Sequence, residues 1–160
     1  MAYRSRTFPS IVNNASAAEL DLLDASDVSV AEGTWTALTR WAKVEWDFAT
    51  DGGTVTGSPI TLSLTLPDNA IVLGGAVEVI TAVTSGGSAT VALGVTGAAA
   101  ALLGATGKAS FALGSVLPLA AVSAAPLKLP AATAMTLTVA TADLTAGKFN
   151  IWVEYLPGDA

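Results

Sequence analysis

Between Gly52 and Ala142 the sequence carries four charged side chains, Asp68, Glu78, Lys108 and Lys128. Most of the rest of that stretch is Ala, Val, Leu, Ile, Thr, Ser and Gly, much of it in alternating order. Alternation with a period of two marks a strand with one covered face and one wet face. Such a stretch builds a β-rich body suited to packing. The chain also has no histidine and no cysteine. That removes the usual proton shuttle near neutral pH, the thiolate nucleophile and the soft metal ligand.

At 160 residues the chain suits one domain with an arm. A domain of this size buries roughly 70% of its unfolded surface and needs no disulfide. The composition is 52% hydrophobic and 12% charged, against about 25% charged in typical globular domains. Mean hydropathy is +0.60, so the surface is expected to be partly covered by partners. A membrane is not the expected partner. The longest apolar-looking run, Ala109 to Leu127, contains Gly114, Pro118 and Pro126 and is otherwise rich in alanine and serine. The N-terminus has Arg4 and Arg6 but no apolar core behind them, so it does not read as a secretory signal. Nor is nucleic acid expected, because the net charge is −6 and the seven Lys and Arg residues are scattered.

Along the chain, residues 1–34 are polar and irregular. Ser16 followed by Glu19 resembles a capping box ahead of Leu20, Leu22 and Leu23, predicting a short helix at about 16–24. This segment reads as an N-terminal arm, and residues 35–160 read as the β domain. In Trp41–Phe48, Val44, Trp46 and Phe48 share one face, while Lys43, Glu45 and Asp47 share the other. Ile60–Leu66 repeats the alternation with small hydroxyls outward. Ile71–Val83 is apolar on both faces except at Glu78, and Gly74-Gly75 predicts a bulge or bend. Ser88–Val95 follows. Residues 97–134 are ambiguous: Ala98–Leu103 suggests one or two turns of helix, and Ser110–Leu119 a strand or an apolar loop. Met135–Val139 alternates, Leu144–Gly147 reads as a turn, and Lys148–Leu156 places Phe149, Ile151, Val153 and Tyr155 on one face. The remaining face holds Lys148, Asn150, Trp152 and Glu154. About seven or eight short strands separated by Gly, Pro and Asn/Asp turns predict an all-β fold, an antiparallel β-sandwich or jelly-roll-like barrel that pairs early with late strands.

Motifs for chemistry fail on inspection. Gly104-Ala-Thr-Gly107-Lys108 lacks two elements of a phosphate loop, since Leu102 stands where its first glycine belongs and Ala109 where its Ser or Thr belongs. Without histidine no Ser-His-Asp relay exists. Glu45 and Asp47 are close enough to share a site, as paired carboxylates in glycoside hydrolysis do, but they sit on the wet face of a strand. Asp21, Asp24 and Asp27 do not follow the spacing of a calcium loop. Among the tryptophans, Trp46 falls inward and Trp152 outward, where it suits a subunit contact or a sugar-stacking platform. No catalytic residue, cofactor or metal is assigned.

The order of strands resembles a known family. A charged aromatic strand (Trp41–Phe48) is followed by Ile60-Thr-Leu-Ser-Leu-Thr-Leu-Pro67 and by Asn69-Ala-Ile-Val-Leu-Gly-Gly-Ala-Val-Glu-Val-Ile80. Then come Ser85-Gly-Gly-Ser-Ala-Thr-Val-Ala-Leu-Gly94 and finally Leu144-Thr-Ala-Gly-Lys-Phe-Asn-Ile-Trp-Val-Glu-Tyr-Leu156. Over about residues 36–156 this is similar to the small structural proteins of tailed-phage virions that decorate or cement capsids. The resemblance implies a non-enzymatic β protein without cofactor, often trimeric, made in the host cytoplasm and seated on the outer capsid surface. Its implied partners are the major capsid protein and its own copies. Tyr3, Arg4, Arg6 and Phe8 in the arm, with Trp35 and Trp152, are the candidate interface residues, the arm being expected to lie across a neighbouring subunit. The alternative reading is a head-fibre or tail-fibre knob that binds a host glycan.

Overall fold

The computed structural model describes residues 39–119 and 127–158. The arm at 1–34, the helix expected at about 16–24, the three aspartates within it and beyond, and Tyr3, Arg4, Arg6, Phe8 and Trp35 lie outside the described residues.

Among the described residues, nine strands form two antiparallel sheets: β1 (Arg40–Asp47), β2 (Ile60–Leu66), β3 (Ile71–Ser85), β4 (Thr90–Val95), β5 (Ala98–Gly107), β6 (Val116–Leu119), β7 (Leu127–Lys128), β8 (Thr133–Ala140) and β9 (Leu144–Leu156). A single helical turn, α1 (Phe48–Asp51), follows β1. One sheet is five-stranded, in the order β1-β9-β3-β6, with β7 also on β3; the other runs β2-β8-β4-β5. Every pairing is antiparallel. The chain passes back and forth between the sheets, and the last long strand lies between the first and third. That is the path of a jelly roll, a sandwich of interleaved Greek keys.

Alternation sets what each strand buries. Val44 and Trp46 of β1, Leu62 and Leu66 of β2, Val77 and Val79 of β3, and Phe149, Ile151 and Val153 of β9 all enter the core. From the second sheet Val91 and Leu93 of β4 meet Met135 and Leu137 of β8 in the same cluster. Each such side chain contributes roughly 1.5–3 kcal/mol when fully buried. Three aromatics stack in the core against the five-stranded sheet. Trp46 and Phe149 have ring centroids 4.8 Å apart, and Phe111 and Phe149 are 5.5 Å apart. The indole N–H of Trp46 donates to the Gly52 carbonyl at 3.1 Å, so its polar edge is satisfied although the residue is fully buried.

Three expectations are corrected. Ala98–Leu103 is not helical: it belongs to the ten-residue strand β5, which pairs with β4 from Thr90↔Gly107 to Val95↔Ala98. Alanine's helix propensity yields here to tertiary pairing. Leu144–Gly147 is not the turn. The turn lies before it, around Thr141, which has φ 73, and β9 already begins at Leu144. Finally, the strands are not all short, since β3 has 15 residues and β9 has 13. The segment left between strand and loop resolves into a 3-10 turn (Lys108–Ser110), a loop and the edge strand β6. Pro118 lies within β6, on the sheet edge where a missing N–H is tolerated.

Candidate interface on the five-stranded sheet

Outward residues of the five-stranded sheet line up in rows fixed by register. Lys43 of β1 stands opposite Trp152 of β9, Trp152 opposite Ala76 of β3, and Ala76 opposite Pro118 of β6. The next row is Glu45, Asn150, Glu78 and Val116. Asp47 and Lys148 begin a third. The placement of Trp152 depends on a close backbone approach. Gly75 has φ 151, and a Cβ there would fall on the Trp152 carbonyl, so only glycine lets β3 and β9 meet at this point.

On the β1 side the face is polar. The Lys148 ammonium lies 2.8 Å from Glu45 Oε1 and 3.3 Å from Asp47 Oδ2. These hydrogen bonds hold the Lys148 pKa above its ordinary value. Asp47 is held below the usual carboxylate value, chiefly because its side chain accepts the backbone N–H of Ala49 at the start of α1, with Lys148 adding to the effect. The Lys43 ammonium lies 5.2 Å from the centre of the Trp152 ring, within cation–π range. Asn150 is only 7% exposed. Its Nδ2 donates to Glu78 Oε2 at 3.1 Å, whereas its Oδ1 is buried with no hydrogen-bond partner.

Toward β6 the face turns apolar. Val116 is 66% exposed and Leu113, in the turn leading into β6, is 72% exposed. That turn is hydrogen-bonded to β3 through Gly114 N–H to the Val79 carbonyl and Val79 N–H to the Ser115 carbonyl, which brings it alongside Ile80. Among the described residues, six of the seven exposed large apolar side chains (Trp41, Leu73, Ile80, Leu113, Val116 and Trp152) belong to this sheet or to that turn. The positions of the four-stranded sheet that point away from the core are small instead: Thr61, Ser63 and Thr65 are exposed on β2, while Ala92 on β4 and Thr136 on β8 are buried. Clustering of large apolar groups on one face makes it the candidate contact surface.

Of the candidate residues read from the sequence, Trp152 is on this face and the other five lie outside the described residues. Trp41, at 57% exposure, was not among them; its parity with Lys43 was the signal that could have found it. Ile80 likewise shares parity with Glu78. Val116 and Leu113 gave no signal, because the sequence around β6 has no clear period. Glu45 and Asp47 share the Lys148 ammonium on an open sheet face. Lys108 donates to the Ser85 carbonyl, so the Gly104–Lys108 segment ends in a strand-to-loop clasp.

No protein-family model and no curated protein matches the chain. Solved structures do. The chain is similar to one in the cyanophage Pam1 capsid asymmetric unit, with 24% identity and a TM-score of 0.59, over 84% of this chain and 96% of that one. A chain of the acidic stable capsid of Helicobacter pylori bacteriophage KHP30 matches with 18% identity and a TM-score of 0.52, over 76% of this chain and 90% of that one. A third, from the capsid of Ralstonia phage GP4, matches with 17% identity and a TM-score of 0.56, over 82% and 90%. The likeness shows a shared fold. It spans 96%, 90% and 90% of the matched chains, respectively.

Proposed function

We propose that this chain is a structural protein of a tailed-phage virion, one that decorates the outer capsid and cements it by binding the coat-protein lattice as a homotrimer. The observation that carries this reading is the match, along nearly their whole length, to three chains of similar size from phage capsids. The composition supports it, since a chain without histidine or cysteine and with few charges suits adhesion better than turnover. So does the one-sided surface: a trimer offering three copies of one apolar-and-charged face gains strongly from multivalency even where each contact is weak. A glycan-binding knob would need an open aromatic ring. The Lys43 ammonium takes up ring surface on Trp152, but Trp41 is 57% exposed, so it is the matches to phage-capsid chains that make assembly the reading we favour.

The test is binding of the purified full chain to shells of the phage that carries it, followed by electron microscopy. Ordered density on the outer surface at repeated lattice positions is the expected result. Density confined to the tail, or no saturable occupancy, overturns the reading.

A further inference from the structure

β1 is an outer strand of the five-stranded sheet and, among the described residues, pairs with β9 alone. The backbone N–H of Asp47 donates to Asp51 Oδ2 at 2.9 Å, so it points away from Lys148, its opposite number on β9. Backbone groups of an antiparallel strand turn to alternate sides. Those of Trp41, Lys43 and Glu45 therefore face away from β9 as well. The far side of β9 has the matching phase. Val79, opposite Phe149, bonds through its N–H and its carbonyl to Ser115 and Gly114, which leaves Phe149 to bond with Trp46 of β1. An outer strand with free backbone groups is a template for a further strand. Natural sheets blunt such strands with proline or lysine, and β6, at the other side of this sheet, carries Pro118. β1 carries a lysine too, but its charge is answered two residues on: Lys43 and Glu45 are both exposed on the outward face and opposite in sign.

We propose that β1 pairs antiparallel with β1 of a second copy, across a two-fold axis at Val44, and so continues the five-stranded sheet from one molecule into the next. The register follows from charge. With Val44 opposite Val44, Lys43 of each copy faces Glu45 of the other, and each of these pairs exchanges both of its backbone hydrogen bonds. Sliding the second strand by two residues sets Lys43 against Lys43 or Glu45 against Glu45. Sliding it by four sets Lys43 against Trp41 or Glu45 against Asp47. A slide by an odd number turns the core face of the second strand outward. Only the register centred on Val44 brings opposite charges together without setting like charges face to face. In it Glu45 lies between its own Lys148, at 2.8 Å, and Lys43 of the second copy. Trp41, which is 57% exposed, comes opposite Asp47 of the second copy. The pairing goes beyond the capsid reading and does not need it. It is a two-fold contact, distinct from the three-fold contact of a homotrimer, and joins one trimer to the next.

The contact is small, so its dissociation constant is expected at about 0.1–1 mM, and disulfide trapping suits it. The chain has no cysteine of its own. Full-length Lys43→Cys and Glu45→Cys are incubated in glutathione redox buffer, separately and as an equal mixture, at a concentration near that constant. Residues directly opposite each other fall within disulfide reach, and diagonal ones do not, so the mixture should yield at least about fivefold more linked dimer than either variant alone. Mass spectrometry should place the link between positions 43 and 45. No excess in the mixture overturns the proposal, whether the edge stays open or another segment of the chain takes it. Charge reversal gives a second readout. Lys43→Glu sets two acids face to face, and Glu45→Lys two bases, so each variant alone should associate less than wild type; mixed, they restore both pairs. Sedimentation equilibrium of the folded variants should show association in the mixture only, and a mixture no better than its components overturns the register. Where Glu45→Lys fails to fold for want of its bond to Lys148, the trapped pair decides alone. Neither readout involves shells, so failure here leaves the lattice reading standing, and loss of shell binding leaves this pairing standing.

Discussion

Gly75 shows how one residue can hold both a fold and a surface. Its missing Cβ allows the Trp152 carbonyl to approach, and its φ of 151 suits no other residue well. Gly75→Ala is therefore expected to destabilise the domain by about 3 kcal/mol or more, since backbone strain and a steric clash add. Urea unfolding followed by tryptophan fluorescence measures this; a midpoint close to wild type would contradict it. A second residue-scale expectation concerns Lys148. Its raised pKa means that its contribution is present below its ordinary value of 10.5 and is lost as pH rises through the higher folded-state value. Asp47 runs the other way. Its lowered pKa means a contribution that is present above 3.8 and lost as pH falls through the lower folded-state value. Lys148→Met should thus lower the unfolding midpoint modestly at neutral pH, and the difference from wild type should shrink at both extremes. A pH-independent difference would show that the loss is one of packing alone.

At the scale of elements, the exposed edge strand β6 separates stability from binding. Val116 points outward, so Val116→Thr, which stays β-branched and uncharged opposite Glu78, should change folding stability by about 0.5 kcal/mol or less, while weakening attachment to shells by roughly tenfold if Val116 is part of the contact core. Equal loss of both would mean that β6 is structural only. The elements also show where sequence reading succeeds. β1, β2 and β9 were legible because large apolar side chains alternate in them with polar ones, as in Val44, Trp46 and Phe149, Ile151, Val153 against Lys43, Glu45 and Lys148, Asn150. β5 was not, because four consecutive alanines carry no size alternation and prefer helix when nothing pairs with them. The turn before β9 was placed too late for a different reason. Gly147 looked like its pivot, but Thr141 takes the positive φ, and Gly147 instead sits inside the strand, where a Cβ would press on Val83 and Trp46. The candidate interface was half legible: alternation puts Trp152 outside, whereas the place of Leu113 depends on hydrogen bonds of Gly114 and Ser115 with Val79 of β3, which no local pattern encodes.

At the scale of the whole molecule, the proposed trimer makes a simple demand. Light scattering at micromolar concentration should give three times the 15.9 kDa chain mass; a monomer there would remove the trimer and leave the fold untouched. Cementing by such a unit depends on repetition, because the same face recurs at every subunit and binds the same feature of the lattice each time.

The position of β9 between β1 and β3 bears on how the protein is made. Lys148 meets Asp47 across 101 positions of sequence, so during translation the first strand must wait, its inner edge unmatched, until nearly the whole polypeptide has left the ribosome. Closure of the five-stranded sheet is then a late event. A topology so dominated by distant pairings folds on the slow side, in about milliseconds to seconds. A nascent chain stalled before residue 144 would hold β1 and β3 without the strand that joins them.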